Sequence, residues 1–272
     1  MCGIAGMILA ERKRNREELD TIRLAFSELV SATESRGRDA TGAFVVNRSG
    51  IKYLKLGLPA TRVVKTPAWW ALMDEIGKDT LAVIGHTRAA TKGSPRVKAN
   101  NHPIEIGRIL GVHNGIVLND EEIRERCPFD AEVDSAAIFA LLNSTDKPLN
   151  TTSVGECLEE LDGDFAIAVV DMRRPDSVFI ARDGSRPLFH AHDASKGILW
   201  LSSTTSLMRV VYKGIATSLP ANSVARLTRH HGEGGRVKVE RFAGAEDIGD
   251  SWWTATFRET VLEDPSILDD FE

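Results

Sequence analysis

The chain opens Met1-Cys2-Gly3-Ile4-Ala5-Gly6 and runs straight into the apolar stretch Met7-Ile8-Leu9-Ala10. A short continuous apolar run predicts a buried strand, and a chain end frays unless it is tied into a sheet. The pattern therefore requires a fold that accepts a strand at its very terminus and holds a thiol rigidly at the strand's start. Loss of Met1 would leave Cys2 with both a thiol and a free α-amine. A thiol of pKa about 8.5 can pass its proton to an amine of pKa about 7.7 to 8.0, directly or through a water, so no second side chain need act as base. Position alone is weak evidence, because a Cys can follow a start codon by accident; the strand behind it is what gives the thiol meaning.

Downstream, Leu19, Ile22, Phe26, Leu29 and Val30 recur at helical spacing and predict an amphipathic helix over 17–33 that ends near Gly37. Residues 41–46 and 51–56 read as strands joined by Asn47-Arg48-Ser49-Gly50. A helix is expected over 67–76, with Trp69-Trp70 read as core or interface, and strands over 81–85 and 108–112. Lys92 to Pro95 and Ala99 to Pro103 are loop by composition. Helices follow at 120–126, 134–142 and 153–161, then strands at 165–171, 177–181, 187–190, 198–202 and 223–228 with a helix near 205–212. Helices and strands come in blocks, which favours an antiparallel, layered α+β fold over a doubly wound sheet. No long linker or repeat divides the chain, so one domain is expected over 1–242, followed by an acidic tail or docking segment over 243–272 that carries Trp252-Trp253.

A net charge of -5 gives no basic field for nucleic acid, and the basic cluster Arg12-Lys13-Arg14-Asn15-Arg16 meets Glu17-Glu18 at once, as a solvated helix start would. No apolar run reaches the roughly 18 to 20 residues of a membrane span, and there is no secretory h-region, so a cytoplasmic protein without membrane contact is expected. The three cysteines, Cys2, Cys127 and Cys157, fit no metal spacing and make no disulfide framework. Cys157 reads as core and Cys127 as a loop thiol.

Three polar clusters are expected at strand ends or loops: His86 to Gly93, Val112-His113-Asn114-Gly115-Ile116, and Glu132-Val133-Asp134-Ser135. Asn114 and Gly115 suit an oxyanion hole, since a side-chain amide and a glycine N–H can converge on one oxygen. Arg88 offers a planar fork to a carboxylate, and Asp134 the opposite charge to an ammonium. Singly, each has an ordinary explanation: a turn dipeptide, a surface ion pair, a helix N-cap. Their conjunction with Cys2 points to an amino-acid zwitterion whose side chain reaches a thiol.

With these residues assembled, the chain resembles the glutaminase domain of class II glutamine amidotransferases, most closely that of the glutamine:fructose-6-phosphate amidotransferases. The likeness rests on Met1 to Ile4, Arg36-Gly37-Arg38-Asp39-Ala40-Thr41-Gly42, His86 to Gly93, Asn101-His102-Pro103, Val112 to Ile116, Asp134, Leu161-Asp162-Gly163-Asp164-Phe165 and Ala181 to Leu188, in the family's order over roughly 1–240. The resemblance implies an N-terminal-nucleophile hydrolase fold, a four-layer αββα sandwich of two antiparallel sheets between helical layers. It implies Cys2 as nucleophile with its α-amine as base, and Asn114 and Gly115 as oxyanion hole. Arg88 would bind the glutamine α-carboxylate, Thr91 would help hold the substrate and Asp134 would bind the ammonium, with His86 and Arg36 in support. It implies no cofactor and no metal.

Two departures stand out. The relatives usually carry Trp where this chain has Ala89, near the ammonia exit, and no synthase domain accompanies the glutaminase-like region. The leading expectation is a glutaminase subunit serving a separately encoded synthase. A partner-independent amidohydrolase acting on a γ-glutamyl amide and a non-catalytic glutamine-sensing subunit are the alternatives.

Overall fold

The computed structural model describes residues 1–228 and the backbone of a strand at 237–241; the expected tail over 243–272 and its boundary lie outside the described residues. The described chain forms β1 (Gly3–Leu9), α1 (Arg16–Thr33), β2 (Ala40–Asn47), β3 (Gly50–Leu56), α2 (Ala60–Val63), α3 (Pro67–Met73), β4 (Thr80–Arg88), β5 (Ile104–Ile106) and β6 (Ile109–Val117). It continues with α4 (Asp120–Arg126), α5 (Ser135–Ser144), α6 (Thr151–Glu159), β7 (Gly163–Asp171), β8 (Ser177–Arg182), β9 (Phe189–Asp193), β10 (Ile198–Ser202), α7 (Thr205–Met208), β11 (Thr217–Ser218), β12 (Ser223–Thr228) and β13 (Val237–Arg241).

A seven-stranded sheet runs β11-β9-β10-β1-β4-β2-β3 and a six-stranded sheet runs β13-β12-β8-β7-β6-β5. The terminal strand lies inside the first sheet, antiparallel to both β10 and β4. Alternation decides what each face meets. Ile4 and Ile8 join Phe44, Ile84, Leu110, Val112, Ala166, Ala168 and Val170 in the layer between the sheets. Ala5, Met7 and Leu9, one residue out of phase, pack with Phe26, Leu29 and Trp69 from the helices outside. On the other side, Phe165, Ile167 and Val169 of β7 pack with Phe139 and Leu142 of α5 and Val154 of α6. The result is the expected αββα order. With both faces buried, these strands read as continuous apolar runs and not as alternating ones.

Local chemistry matches the layers. Asn15 caps α1 in a capping box with Glu18, which also pairs with Arg12. Trp69 is fully buried, stacks on Phe26 and donates from its indole Nε1 to Ser27 Oγ at 2.9 Å, whereas Trp70 is half-buried. Cys157 is buried as expected and Cys127 lies at the end of α4.

The extents of β4 and β6 differ from expectation. Both were expected to stop before the polar clusters, at residues 85 and 112, yet β4 continues through His86-Thr87-Arg88 and β6 through His113-Asn114-Gly115. Ile4 pairs with His86, Gly3 with Thr87, and Asn114 with Ala166, so the ladder satisfies the backbone while the polar side chains stay buried. The short elements α2, β5 and β11, and the strand β13, carry too few residues for a periodic signal. The expected 187–190 strand falls at Phe189–Asp193, and the 205–212 helix stops at Met208.

Trp69→Ala removes a fully buried ring and a buried hydrogen bond, and should cost about 3–5 kcal/mol of stability. Trp70→Ala should cost clearly less; denaturant midpoints of the two variants check the order, and equal losses would contradict this packing.

Candidate active site

The ends of β1, β4 and β6 place the polar residues in one region. Cys2 precedes β1, and its Sγ accepts from Ala89 N–H at 3.4 Å and approaches Ala89 O at 3.6 Å, immediately after β4. Arg36 Nε donates to Cys2 O at 2.8 Å. Gly37 lets this turn approach closely, since a Cβ there would fall 2.4 Å from Arg88 C and 2.6 Å from Ala89 N. Burial pushes the Cys2 thiol up; the Ala89 N–H, the terminal ammonium and Arg88 work against that, and Asp134 adds to it. Met1 is exposed, with its sulfur 3.5 Å from Arg186 Nη1.

Asn114 and Gly115 are adjacent on β6. Asn114 is buried and donates from Nδ2 to Ser203 Oγ at 2.9 Å. Gly115 has φ +145°, and a Cβ would lie 1.9 Å from Asp164 O, so only glycine fits. Asp164 in turn accepts from Ile116 N–H at 2.9 Å and holds Arg186 bidentately, with both N–O distances 2.7 Å.

Arg88 is buried and three of its N–H groups are occupied: Nη1 donates to Asn101 Oδ1 at 2.9 Å, and Nη2 to Lys92 O at 2.6 Å and Gly93 O at 2.9 Å. In this structure it therefore organises the loop after β4, and two N–H groups remain for a ligand. Thr91 is exposed on that loop. Asp134 sits at the first position before α5 but caps nothing; its Oδ2 instead accepts from Val117 N–H at 2.8 Å. His86 is buried on β4, bonded through Nε2 to His113 O at 2.9 Å and packed on the His102 ring with centroids 4.1 Å apart. A carbonyl only accepts, so Nε2 carries the proton. Burial lowers the His86 pKa to about 3, which leaves the ring neutral.

The structure thus gathers Cys2, Arg36, Arg88, Asn114, Gly115 and Asp134 at the strand ends, with Thr91 on the loop above and His86 supporting from within. Sequence reasoning missed Ser203, the Ala89 backbone and the roles of Asn101, Asp164 and Arg186. The last three lay in motifs that were noticed, but only the fold shows what they touch. Among the described residues no cluster of His, Cys, Asp and Glu could hold a metal ion.

Residues 86–209 match a family model described as a glutamine amidotransferase domain. The chain carries a glutamine amidotransferase domain. Over 75% of its length it is 29% identical to a 7-cyano-7-deazaguanine synthase of Saccharolobus solfataricus, of which it covers 43%. Over 77% of its length it is 33% identical to a glutamine–fructose-6-phosphate aminotransferase of Thermotoga maritima, of which it covers 33%. The chain spans less than half the length of these curated relatives. Among solved structures, the glutamine phosphoribosylpyrophosphate amidotransferase of B. subtilis superposes with TM-score 0.68 at 19% identity, covering 90% of this chain and 50% of that one. A glutamine aminotransferase class-II domain protein from Silicibacter pomeroyi superposes with TM-score 0.55 at 12% identity, covering 89% and 100%. At these identities the superpositions show the fold: that of class II, N-terminal-nucleophile amidotransferases.

His86 gives this amidotransferase domain a pH signature. Its folded pKa of about 3 lies below the unfolded value near 6.5. Between those values the unfolded chain binds a proton that the folded chain refuses, so stability is lost as pH falls through 6.5 towards 3. His86→Gln should flatten the stability–pH slope across that window by about one proton, roughly 1.4 kcal/mol per pH unit. Denaturant titrations at pH 4.5 to 7 would show it; an unchanged slope would mean His86 is not held neutral.

Proposed function

We propose that this domain hydrolyses the side-chain amide of glutamine through Cys2, freed of Met1 as the chain terminus. The observation that carries the reading is the Cys2 thiol lodged against Ala89 at the end of β4, with Arg36 on its carbonyl, inside an amidotransferase domain. The α-amine takes the thiol proton, and the thiolate attacks the amide carbon. Asn114 Nδ2–H and Gly115 N–H stabilise the oxyanion that forms, a contribution on the order of 10²–10³ in rate per donor. Collapse of that intermediate breaks the C–N bond, and the amine's proton leaves with the nitrogen as ammonia. A water, deprotonated by the same amine, then splits the γ-glutamyl thioester to glutamate and regenerates the thiol.

Arg88, through its two remaining N–H groups, and Thr91 meet the glutamine α-carboxylate; Asp134 meets the ammonium. Arg36 holds the nucleophile's own carbonyl, and His86 stays neutral beneath. The relatives extend well beyond the matched region and are named as a synthase and an aminotransferase, which supports a partner unit that consumes the ammonia. We assign that unit to a synthase, whether encoded separately or joined to this domain.

Protein lacking Met1 should release glutamate and ammonia from glutamine, and Cys2→Ala should lower the rate by at least about 10³-fold, as loss of a covalent nucleophile does. Species that retain Met1, whose Cys2 nitrogen is a non-basic amide, should be inactive. Full turnover by Cys2→Ala would sink the proposal.

A further inference from the structure

Ser203 follows β10, is fully buried, and touches two parts of the site that lie on different sheets. Its Oγ accepts from Ile4 N–H at 2.7 Å and from Asn114 Nδ2 at 2.9 Å, and lies 3.3 Å from Ile4 O, to which it donates. Its own N–H donates to Ile4 O at 3.0 Å. A serine hydroxyl has one proton and two lone pairs, so all three are assigned. Ile4 is two residues from the nucleophile and Asn114 is the oxyanion-hole side chain, so one hydroxyl joins the nucleophile strand to the oxyanion hole across the gap between sheets.

The bond pattern also selects which edge of the Asn114 amide faces which way. Asn114 Oδ1 is buried without a hydrogen-bond partner. With the amide turned over, Oδ1 would face the Ser203 hydroxyl and would need its proton. Ser203 can donate to Oδ1 only by giving up Ile4 O, and Ile4 is fixed in the ladder between β4 and β10. The hydroxyl thus stays an acceptor towards Asn114.

We propose that Ser203 is a positioning residue for the oxyanion hole. Committed to Ile4, it can only accept from Asn114, and so it keeps the amide turned with its second Nδ2–H available to the developing oxyanion. This rests on the glutaminase reading above, and it adds a residue that acts through Asn114 without touching substrate.

The test measures glutamine hydrolysis by Met1-free protein with Ser203→Ala and Ser203→Cys, each in the wild-type and Asn114→Ala backgrounds. The rate of Cys2 alkylation by iodoacetamide, a displacement that needs no oxyanion hole, is followed in parallel. Ser203→Ala should lower kcat by roughly 10- to 100-fold, somewhat less than outright loss of an oxyanion donor, with KM and the alkylation rate within about 3-fold. In the Asn114→Ala background it should change kcat by less than about 2-fold, because the two residues act as one unit. Ser203→Cys, nearly the same shape with a weak acceptor, should fall between wild type and Ser203→Ala, and it carries the same comparison if Ser203→Ala does not fold. An equal loss in both backgrounds, alkylation that falls in step with kcat, or a Ser203→Ala within about 2-fold of wild type would each overturn the proposal. A wild-type protein that releases no glutamate would sink the glutaminase reading, and this inference with it.

Discussion

β1 is hydrogen-bonded along both edges, to β4 and β10, and covered on both faces, by the second sheet and by the helices around α1 and α3. A strand held in this way has no freedom to fray, so the residue just before it inherits a fixed position although it lies one place from the chain's start. The Arg36 side chain on Cys2 O and the Ala89 backbone at Cys2 Sγ depend on that fixation. So does Ser203, whose hydrogen bonds to Ile4 and Asn114 carry the position of β1 over to the second sheet.

The same burial creates the site's electrostatic problem. Enclosure raises the Cys2 thiol and lowers the Arg88 guanidinium, each in the direction that disfavours charge. Their proximity works the other way, since a thiolate and a guanidinium stabilise one another. Arg88 is further supported by the carbonyls of Lys92 and Gly93, which tie the loop after β4 to the same group that the proposed mechanism gives to the substrate carboxylate. The imidazoles of His86, His102 and His113 are all lowered by burial and add no positive charge at neutral pH. Beside the chain-terminal ammonium, the cationic character of the site thus comes from arginines, which do not titrate near neutrality.

What could be read in the sequence follows from how one-sided each element is. Helix α1 exposes a polar face, so Leu19, Ile22, Phe26 and Leu29 stood out at helical spacing, and the structure places the helix within a residue of its expected start. β4 and β6 were recognised but cut short, because His86, Arg88, His113 and Asn114 look like loop chemistry when their cross-strand partners are unknown. The clustering of Cys2 with its candidate companions was legible because their side-chain types are unusual in combination. Ser203 was not: in Ser202-Ser203-Thr204-Thr205 it reads as a helix start, and Thr204 does cap α7. Only the register between β1 and β10 brings Ser203 against Ile4.

The proposed chemistry stands or falls on where the acyl group goes. Protein mixed with glutamine, quenched in acid during turnover and fragmented for tandem mass spectrometry should carry a γ-glutamyl group on the sulfur of Cys2, in a chain whose first residue is Cys2. A γ-glutamyl group on Cys127 or Cys157, or steady turnover by chains that still begin with Met1, would contradict it.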